Sequence, residues 1–391
     1  MRDLRLTVGA ALVAAVALTT TPVAALAATF KVNPGDSIQA AVDLADDGDT
    51  VMVYPGTYIE PAVSGPAVTV HKGIRLKGKP NKKTGDKVVL LAAPGQTDGV
   101  LVEPANPGDP NVDGFRISGF TVQGFQNNGI HLRYCDNFRI EKNESIDNEE
   151  NGIFPTLSAN GLVKRNVSYG SDDSALWVEA STNVRVMQND ISGSPTGLEI
   201  TISQDIEMTK NDIHDNTTGV GFYHPSAAGL PMVPGMVIGN WVFENNHVHD
   251  NNAPNTAPPG SMPASLPPGG GVLVLGADFV TVDKNVIENN DFYGITAIDY
   301  CLAVAGGDFD CGVNPPAVES EVNGGHFGDN ELNGNGLNPD PLHPLSAYAA
   351  DITYLTLTDN LNNRFCGNTS TTTLTKQIPF GHPIQESGKC T

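Results

Sequence analysis

Tyr223 and His224 adjoin in the chain and could act as base and acid in removing a proton beside a carboxylate. Asp172 and Asp173 form a carboxylate pair of the kind used in glycoside hydrolysis, although aspartates are also ordinary turn residues. A third set has metal-ligand character. Aligned on a recurrent asparagine, His214, His249 and Glu288 share one position in successive repeats, with Asp212 and His247 two residues earlier. Stacked about 5 Å apart on one face, these imidazoles and carboxylates come within reach of a transition metal. Acidic loops at Asp46-Asp47-Gly48-Asp49 and Asp308 to Asp310 offer oxygens to Ca²⁺ without a diagnostic spacing.

The elements that would position these groups are set by a repeat. Asn128-Gly129-Ile130, Asn151-Gly152-Ile153, Thr196-Gly197-Leu198, Thr218-Gly219-Val220, Gly270-Gly271-Val272 and Tyr293-Gly294-Ile295 recur in register, with Ser174-Ala175-Leu176 in the slot lacking glycine. The steps from Gly129 are 23, 23, 22, 22, 52 and 23 residues, the long one being a missed boundary or a large insertion. Asn143, Asn166, Asn189, Asn211, Asn246 and Asn285 keep the same beat, and Asn330 and Asn360 extend it. Short aliphatic alternations separated by Asn, Asp, Gly and Ser predict three strands and three turns per unit. That is an all-β solenoid, a right-handed parallel β-helix of about 22 residues per coil. The asparagines turn inward and bond their neighbours in adjacent coils. This explains the N-x-S sequences at Asn143 and Asn166 better than glycosylation does.

Alternation along the strand after each repeat glycine sends Ile130, Leu132, Leu176, Val178, Leu198, Ile200, Val220 and Phe222 inward. Their neighbours point outward as a strip: His131, Arg133, Phe154, Thr156, Trp177, Glu179, Glu199, Thr201 and Tyr223. Aromatic faces alternating with carboxylates suit a sugar chain, which stacks its C–H faces and hydrogen-bonds its hydroxyls. His131 and Arg133 lie four coils from Tyr223, on the order of 19 Å, and would serve a distant subsite.

Residues 1–27 read as an export signal: Arg2 and Arg5, an apolar run from Val8 to Leu18, and Ala25-Leu26-Ala27. The run is too short to span a bilayer, so a soluble secreted or periplasmic protein, most simply a monomer, is expected. A net charge of −22 excludes nucleic acid and anionic lipid as partners of the general field, and repels polyanionic sugars without a local cation. Five cysteines in an exported chain predict Cys301–Cys311 and Cys366–Cys390 disulfides, with Cys135 free and buried. Ser37 caps a short helix presenting Ile38, Ala41, Val42 and Ala45, which covers the open first coil. The β-helix is expected over 28–366, with loop-rich insertions within 225–270 and a C-terminal tail at 367–391.

Ile38-Gln39-Ala40-Ala41-Val42 followed by Gly48-Asp49-Thr50-Val51 and Pro55-Gly56-Thr57-Tyr58 resembles the opening of secreted pectate-lyase-like β-helix proteins. The segment Asn246-His247-Val248-His249-Asp250-Asn251-Asn252, with Pro267-Pro268-Gly269-Gly270-Gly271-Val272, resembles exported bacterial parallel β-helix repeat proteins across most of the chain. The resemblance implies the fold. Its wider relatives include pectate and alginate lyases, C5-epimerases and polygalacturonases, besides non-catalytic members. Asp172-Asp173 sit where polygalacturonases carry G-D-D-C, but the N-T-D, G-H-G and R-I-K signatures are absent, as is the D-P-H-D/E motif of the epimerases. The expected function is therefore polysaccharide binding along the outer strip, with lyase or epimerase chemistry at Tyr223 and His224. The alternative is a non-catalytic glycan- or metal-binding scaffold.

Overall fold

The computed structural model describes residues 26–224, 238–303, 320–356, 362–371, 375–378, 386–387 and 390. Residues 1–25 of the expected signal lie outside them, as do Asp308 to Asp310, Asn360 and Cys311.

Each repeat folds into one coil of three strands. In one coil Ser174–Glu179 runs in the third sheet, Thr182–Met187 in the first and Asp190–Ser192 in the second, before Thr196–Thr201 returns to the third. Every pairing between strands of neighbouring coils is parallel, as in Leu176 beside Leu198 beside Val220. The fold is a right-handed parallel β-helix. Inward side chains from the three sheets form one continuous core, to which this coil gives Leu176, Val178, Val184, Val186 and Ile191.

The 52-residue step is a single coil carrying insertions. Thr218–Tyr223, Gly239–Glu244 and His247–His249 complete it before Gly270–Leu275 begins the next. Between them the chain after Asn251 packs Met262 and Leu266 on the outer face of the third sheet. Beyond Cys366 the sheets continue: Thr369–Ser370, Thr375–Ile378 and Glu386–Ser387 pair with the second, third and first sheets. The tail thus contributes strands of its own.

At the other end, helix Ile38–Leu44 packs Ile38 and Val42 onto the first coil. Ser37 Oγ accepts from the Ala40 backbone N–H at 3.0 Å, closing the cap. Glu60 reinforces it, accepting from Ser37 Oγ and from the Ile38 N–H, both at 2.7 Å. A carboxylate suits the positive end of a helix.

The asparagine ladder is continuous from Asn143 to Asn368. Asn166 donates its backbone N–H and its Nδ2 to Asn189 Oδ1, each at 3.0 Å, and Asn189 treats Asn211 Oδ1 alike at 3.1 and 2.9 Å. Asn143 and Asn166 are buried in it. Asn330 continues it to Asn368, which bonds both its N–H and Nδ2. A parallel ladder runs five residues later through Asn216, Asn251, Asn290 and Asn335 to Asp351. The constant offset of five was visible in the sequence, but serines at 171 and 194 hide the earlier rungs.

Cys366 and Cys390 are joined in a disulfide. Cys301 is also disulfide-bonded. Cys135 is free and buried, and burial pushes its thiol far above the ordinary range, leaving it unreactive.

Candidate functional site

Two columns of outward side chains run along the third sheet. In register, one reads Trp177, Glu199, Gly221, Leu273, Thr296 and Thr353. The other reads Arg133, Thr156, Glu179, Thr201, Tyr223, Leu275, Ile298 and Leu355. The inward alternates from Ile130 to Phe222 are all core.

The columns change character along the axis. At the N-terminal end three rings form a continuous stack: His131 on Phe154 at 4.8 Å and Phe154 on Trp177 at 4.6 Å between centroids. Trp177 Nε1 donates to Thr201 Oγ1 at 2.8 Å, which fixes the indole plane. Arg133 does not reach the stack's far end; it pairs with Glu103 at 2.9 Å. His131 pairs with Asp98 at 3.4 Å.

Beside the rings lies a group of carboxylates. Glu179 Oε2 accepts from the Thr156 hydroxyl at 2.9 Å, and Glu199 Oε2 accepts from the Ser174 hydroxyl at 2.5 Å. Burial pushes the Glu179 carboxyl up to about 7, with Asp173 adding to the rise and the Thr156 bond opposing it. Glu199 is raised well above its ordinary range by burial and then by Asp173. Asp173 is raised by burial and by Glu150, and Glu150 by burial and Asp98. Asp172 is raised by burial alone. Among the described residues no Lys or Arg forms an ion pair with Glu150, Asp173, Glu179 or Glu199. Unneutralised carboxylates driven toward their acid forms are the marks of an acid–base site.

Sequence reasoning singled out Asp173, Glu179 and Glu199, which the fold gathers in this group, and did not single out Glu150. Its signal was the repeat itself, since Glu150 and Asp173 are one coil apart, each two residues before the recurrent Gly152 or Ala175.

The strip was expected to lie open. Phe154, Thr156, Glu179, Glu199, Thr201 and Tyr223 are instead buried, while His131 and Trp177 are half-buried and Arg133 is exposed. Neighbouring coils cover most of them, as His131 and Trp177 cover Phe154, and a second layer covers Tyr223. Tyr223 joins Leu266, Leu273, Leu275, Phe292 and Tyr293 in an apolar cluster outside the main core.

Tyr223 Oη lies 3.4 Å from Thr196 Oγ1, and burial, then the charge of Glu199, raises the phenol well above its usual range. A phenol held so firmly neutral donates a hydrogen bond and does not abstract a proton. His224 faces elsewhere, stacking on Tyr300 at 5.1 Å.

A second constellation occupies the outer face of the second sheet. Register places Asp212 beside His247, and His214 beside His249 and then Glu288. One ligand atom each from Asp212, His247 and His249 lies within 4.8 Å of the others. Asp212 Oδ1 stands 3.3 Å from His247 Nδ1 and 3.1 Å from His249 Nε2. The second nitrogen of each ring is held by a carboxylate: His247 Nε2 by Glu288 at 3.0 Å, His249 Nδ1 by Asp250 at 2.8 Å. Glu288 therefore orients a ring and stands outside the converging set. His214 stacks on His249 at 5.2 Å but turns to Asp190 and Asp215. Burial would lower the His214 pKa, yet Asp215 and Asp190 raise it overall.

The acidic turn at 46–49 binds backbone N–H groups. Asp49 accepts from the Ala28 and Asp46 N–H groups at 2.6 and 2.9 Å, and Asp47 from Gly73 at 2.7 Å. His326 lies near Cys366 and Cys390, but their disulfide removes those sulfurs as thiolate ligands.

The fold defines the chain as a right-handed parallel β-helix protein. Residues 46–258 match the family model described as NosD, periplasmic copper-binding protein, and the chain belongs to that family. Among solved structures, the A-module of mannuronan C-5 epimerase AlgE6 from Azotobacter vinelandii is similar at 18% identity and a TM-score of 0.64, covering 90% of this chain and 91% of that one. The AlgE4 A-module of the same organism aligns at 15% identity and a TM-score of 0.61, over 87% and 86% of the two chains. DFA-IIIase of Arthrobacter chlorophenolicus A6 without its lid aligns at 13% identity and a TM-score of 0.56, over 90% and 92%. These likenesses establish the fold. No curated protein sequence matches the chain.

Proposed function

We propose that this protein binds a carbohydrate chain along the outer face of its third sheet and acts on it by carboxylate acid–base chemistry. The observation that carries this reading is the burial of Glu179 and Glu199, both held up as acids, beside the Phe154–Trp177 stack. Trp177, half-buried at the end of the stack with only one face covered by Phe154, offers apolar contact to a pyranose. A protonated carboxyl donates to a glycosidic oxygen, and an ionised partner in the same group stabilises positive charge at the sugar carbon or activates water. The site favours a neutral sugar. A uronate brought here would meet Glu150, Asp173, Glu179 and Glu199 with no basic side chain paired to them, whereas lyase and epimerase chemistry requires neutralisation of the substrate carboxylate. This weighs against the expected lyase chemistry at Tyr223 and His224, which the same panel of substrates tests.

The test is a panel of neutral and uronic polysaccharides assayed for new reducing ends and for the unsaturated-uronate absorbance band. Reducing ends without that band, lost in Glu199→Gln, are expected. Unsaturated products, or turnover untouched by Glu199→Gln, would overturn the acid–base assignment; binding with no turnover would leave a glycan-binding scaffold.

A second reading is favoured by the Asp212–His247–His249 group and by the family's description as copper-binding. Imidazole and carboxylate donors suit Cu(II), and ligating histidines characteristically give their second nitrogen to a carboxylate, as both rings do here. These three residues would hold the ion, with Glu288 and Asp250 orienting the rings. Export to the periplasm accords with the family description and with the oxidised Cys366–Cys390 pair.

A further inference from the structure

Past Tyr223 the outer face of the third sheet turns aliphatic. The column that reads Glu179, Thr201 and Tyr223 continues as Leu275, Ile298 and Leu355, and the neighbouring column passes from Glu199 and Gly221 to Leu273. Outward leucines on a solenoid need a cover, and two loops supply one. Met262 and Leu266 come from the proline-rich crossing segment, and Leu345 and Tyr348 from the segment after Asn338. The cover does not fill the space beneath it. A cavity of about 440 Å³ remains, in the size range of small-molecule pockets.

Its lining carries no Asp, Glu, Lys or Arg among the described residues. The one imidazole, His343, sits edge-on to Phe292 at 5.2 Å, and burial lowers its pKa and keeps it neutral. Phe292, Tyr293 and Tyr300 supply flat walls. The cavity adjoins the carboxylates through Tyr223, which shares the outer apolar cluster with Tyr293 and whose ring lies against Gly221, the register neighbour of Glu199.

We propose that this cavity seats an uncharged apolar group carried by the sugar, an aromatic or short aliphatic aglycone or acyl substituent, so that the substrate is a lipophilic glycoside or acylated glycan and not a bare polysaccharide. The inference rests on the carbohydrate reading above and names the substrate class for that site. A bare hydrophilic chain would leave the cavity's aliphatic walls unsatisfied, whereas an apolar substituent removes them from water.

Calorimetric titration with methyl, hexyl and phenyl glycosides of glucose, galactose, mannose and xylose, and with hexanol, tests this on the intact chain. At least one hexyl or phenyl glycoside is expected to bind ten-fold or more tightly than its methyl counterpart. That gain should vanish in Thr296→Phe, which fills the space from the sheet, and in Leu345→Trp, which fills it from the exposed loop. The loop variant keeps the test valid should the sheet variant fold poorly. Equal affinity of methyl and hexyl glycosides, or binding of neither, would overturn the cavity assignment. The carbohydrate reading would then be judged separately by turnover of unsubstituted polysaccharides. Hexanol binding as tightly as the hexyl glycosides would also overturn it, because the sugar would then contribute nothing.

Discussion

The Thr156 hydroxyl donates to Glu179 Oε2 at 2.9 Å across one coil of the third sheet, and Glu179 Oε1, also buried, has no hydrogen-bond partner among the described residues. A carboxylate satisfied on one oxygen and bare on the other is costly when charged.

That cost makes stability depend on pH. The folded-state pKa of Glu179 is raised to about 7 from 4.5, so the folded chain binds the proton more tightly than the unfolded chain. The favourable contribution is complete below the unfolded value and is lost as pH rises toward 7, each unit being worth about 1.4 kcal/mol. Melting temperature should therefore fall between about pH 5 and pH 8. Glu179→Gln should flatten that slope and stabilise the protein at pH 8 by about 1–3 kcal/mol. An unchanged slope in the variant would remove Glu179 as its source.

Trp177 is predicted to be the principal sugar platform, because its ring is stacked on Phe154 and locked by Thr201 while half-buried. Trp177→Ala should weaken binding of any bound oligosaccharide by about 1 kcal/mol or more, with little change in the pH profile of turnover. Tyr223→Phe should lower turnover modestly and leave its pH dependence intact, since the phenol is already neutral. A lost basic limb in the profile would instead identify Tyr223 as the proton acceptor.

Cu(II) titration followed by electron paramagnetic resonance should give one equivalent with nitrogen hyperfine structure. His249→Ala should reduce the affinity at least ten-fold. His214→Ala should change it far less, because His214 stands beside the converging set. Equal losses in the two variants would show that the ring stack, and not the Asp212–His247–His249 geometry, determines binding.

Replacing one ladder asparagine tests what holds the coils in register. Asn189→Ala removes the acceptor for two Asn166 donors and the donor to Val163 O and Asn211 Oδ1, all in a buried strip. A loss of about 3 kcal/mol or more is expected in denaturant unfolding. A loss below about 1 kcal/mol would mean that the strand ladders alone fix the stack.

The sequence by itself determined the architecture, because a solenoid is specified locally. Each unit must repeat the same turn asparagine and the same alternation, so Asn189 and Leu176 announce their places without knowledge of distant contacts. The same beat aligned His247 with Asp212, His249 with His214, and Trp177 with Glu199. What it could not supply was the layer outside the helix. The segments that cover Leu273 and Leu275 follow no period, so the sealing of Tyr223 among them left no trace in the pattern. Only the tertiary structure decided that Tyr223 is a sealed phenol, that Glu150 joins the acids, and that an apolar cavity lies next to them. Charge state and accessibility depend on what covers a residue, and in a repeat protein the cover is the part that does not repeat.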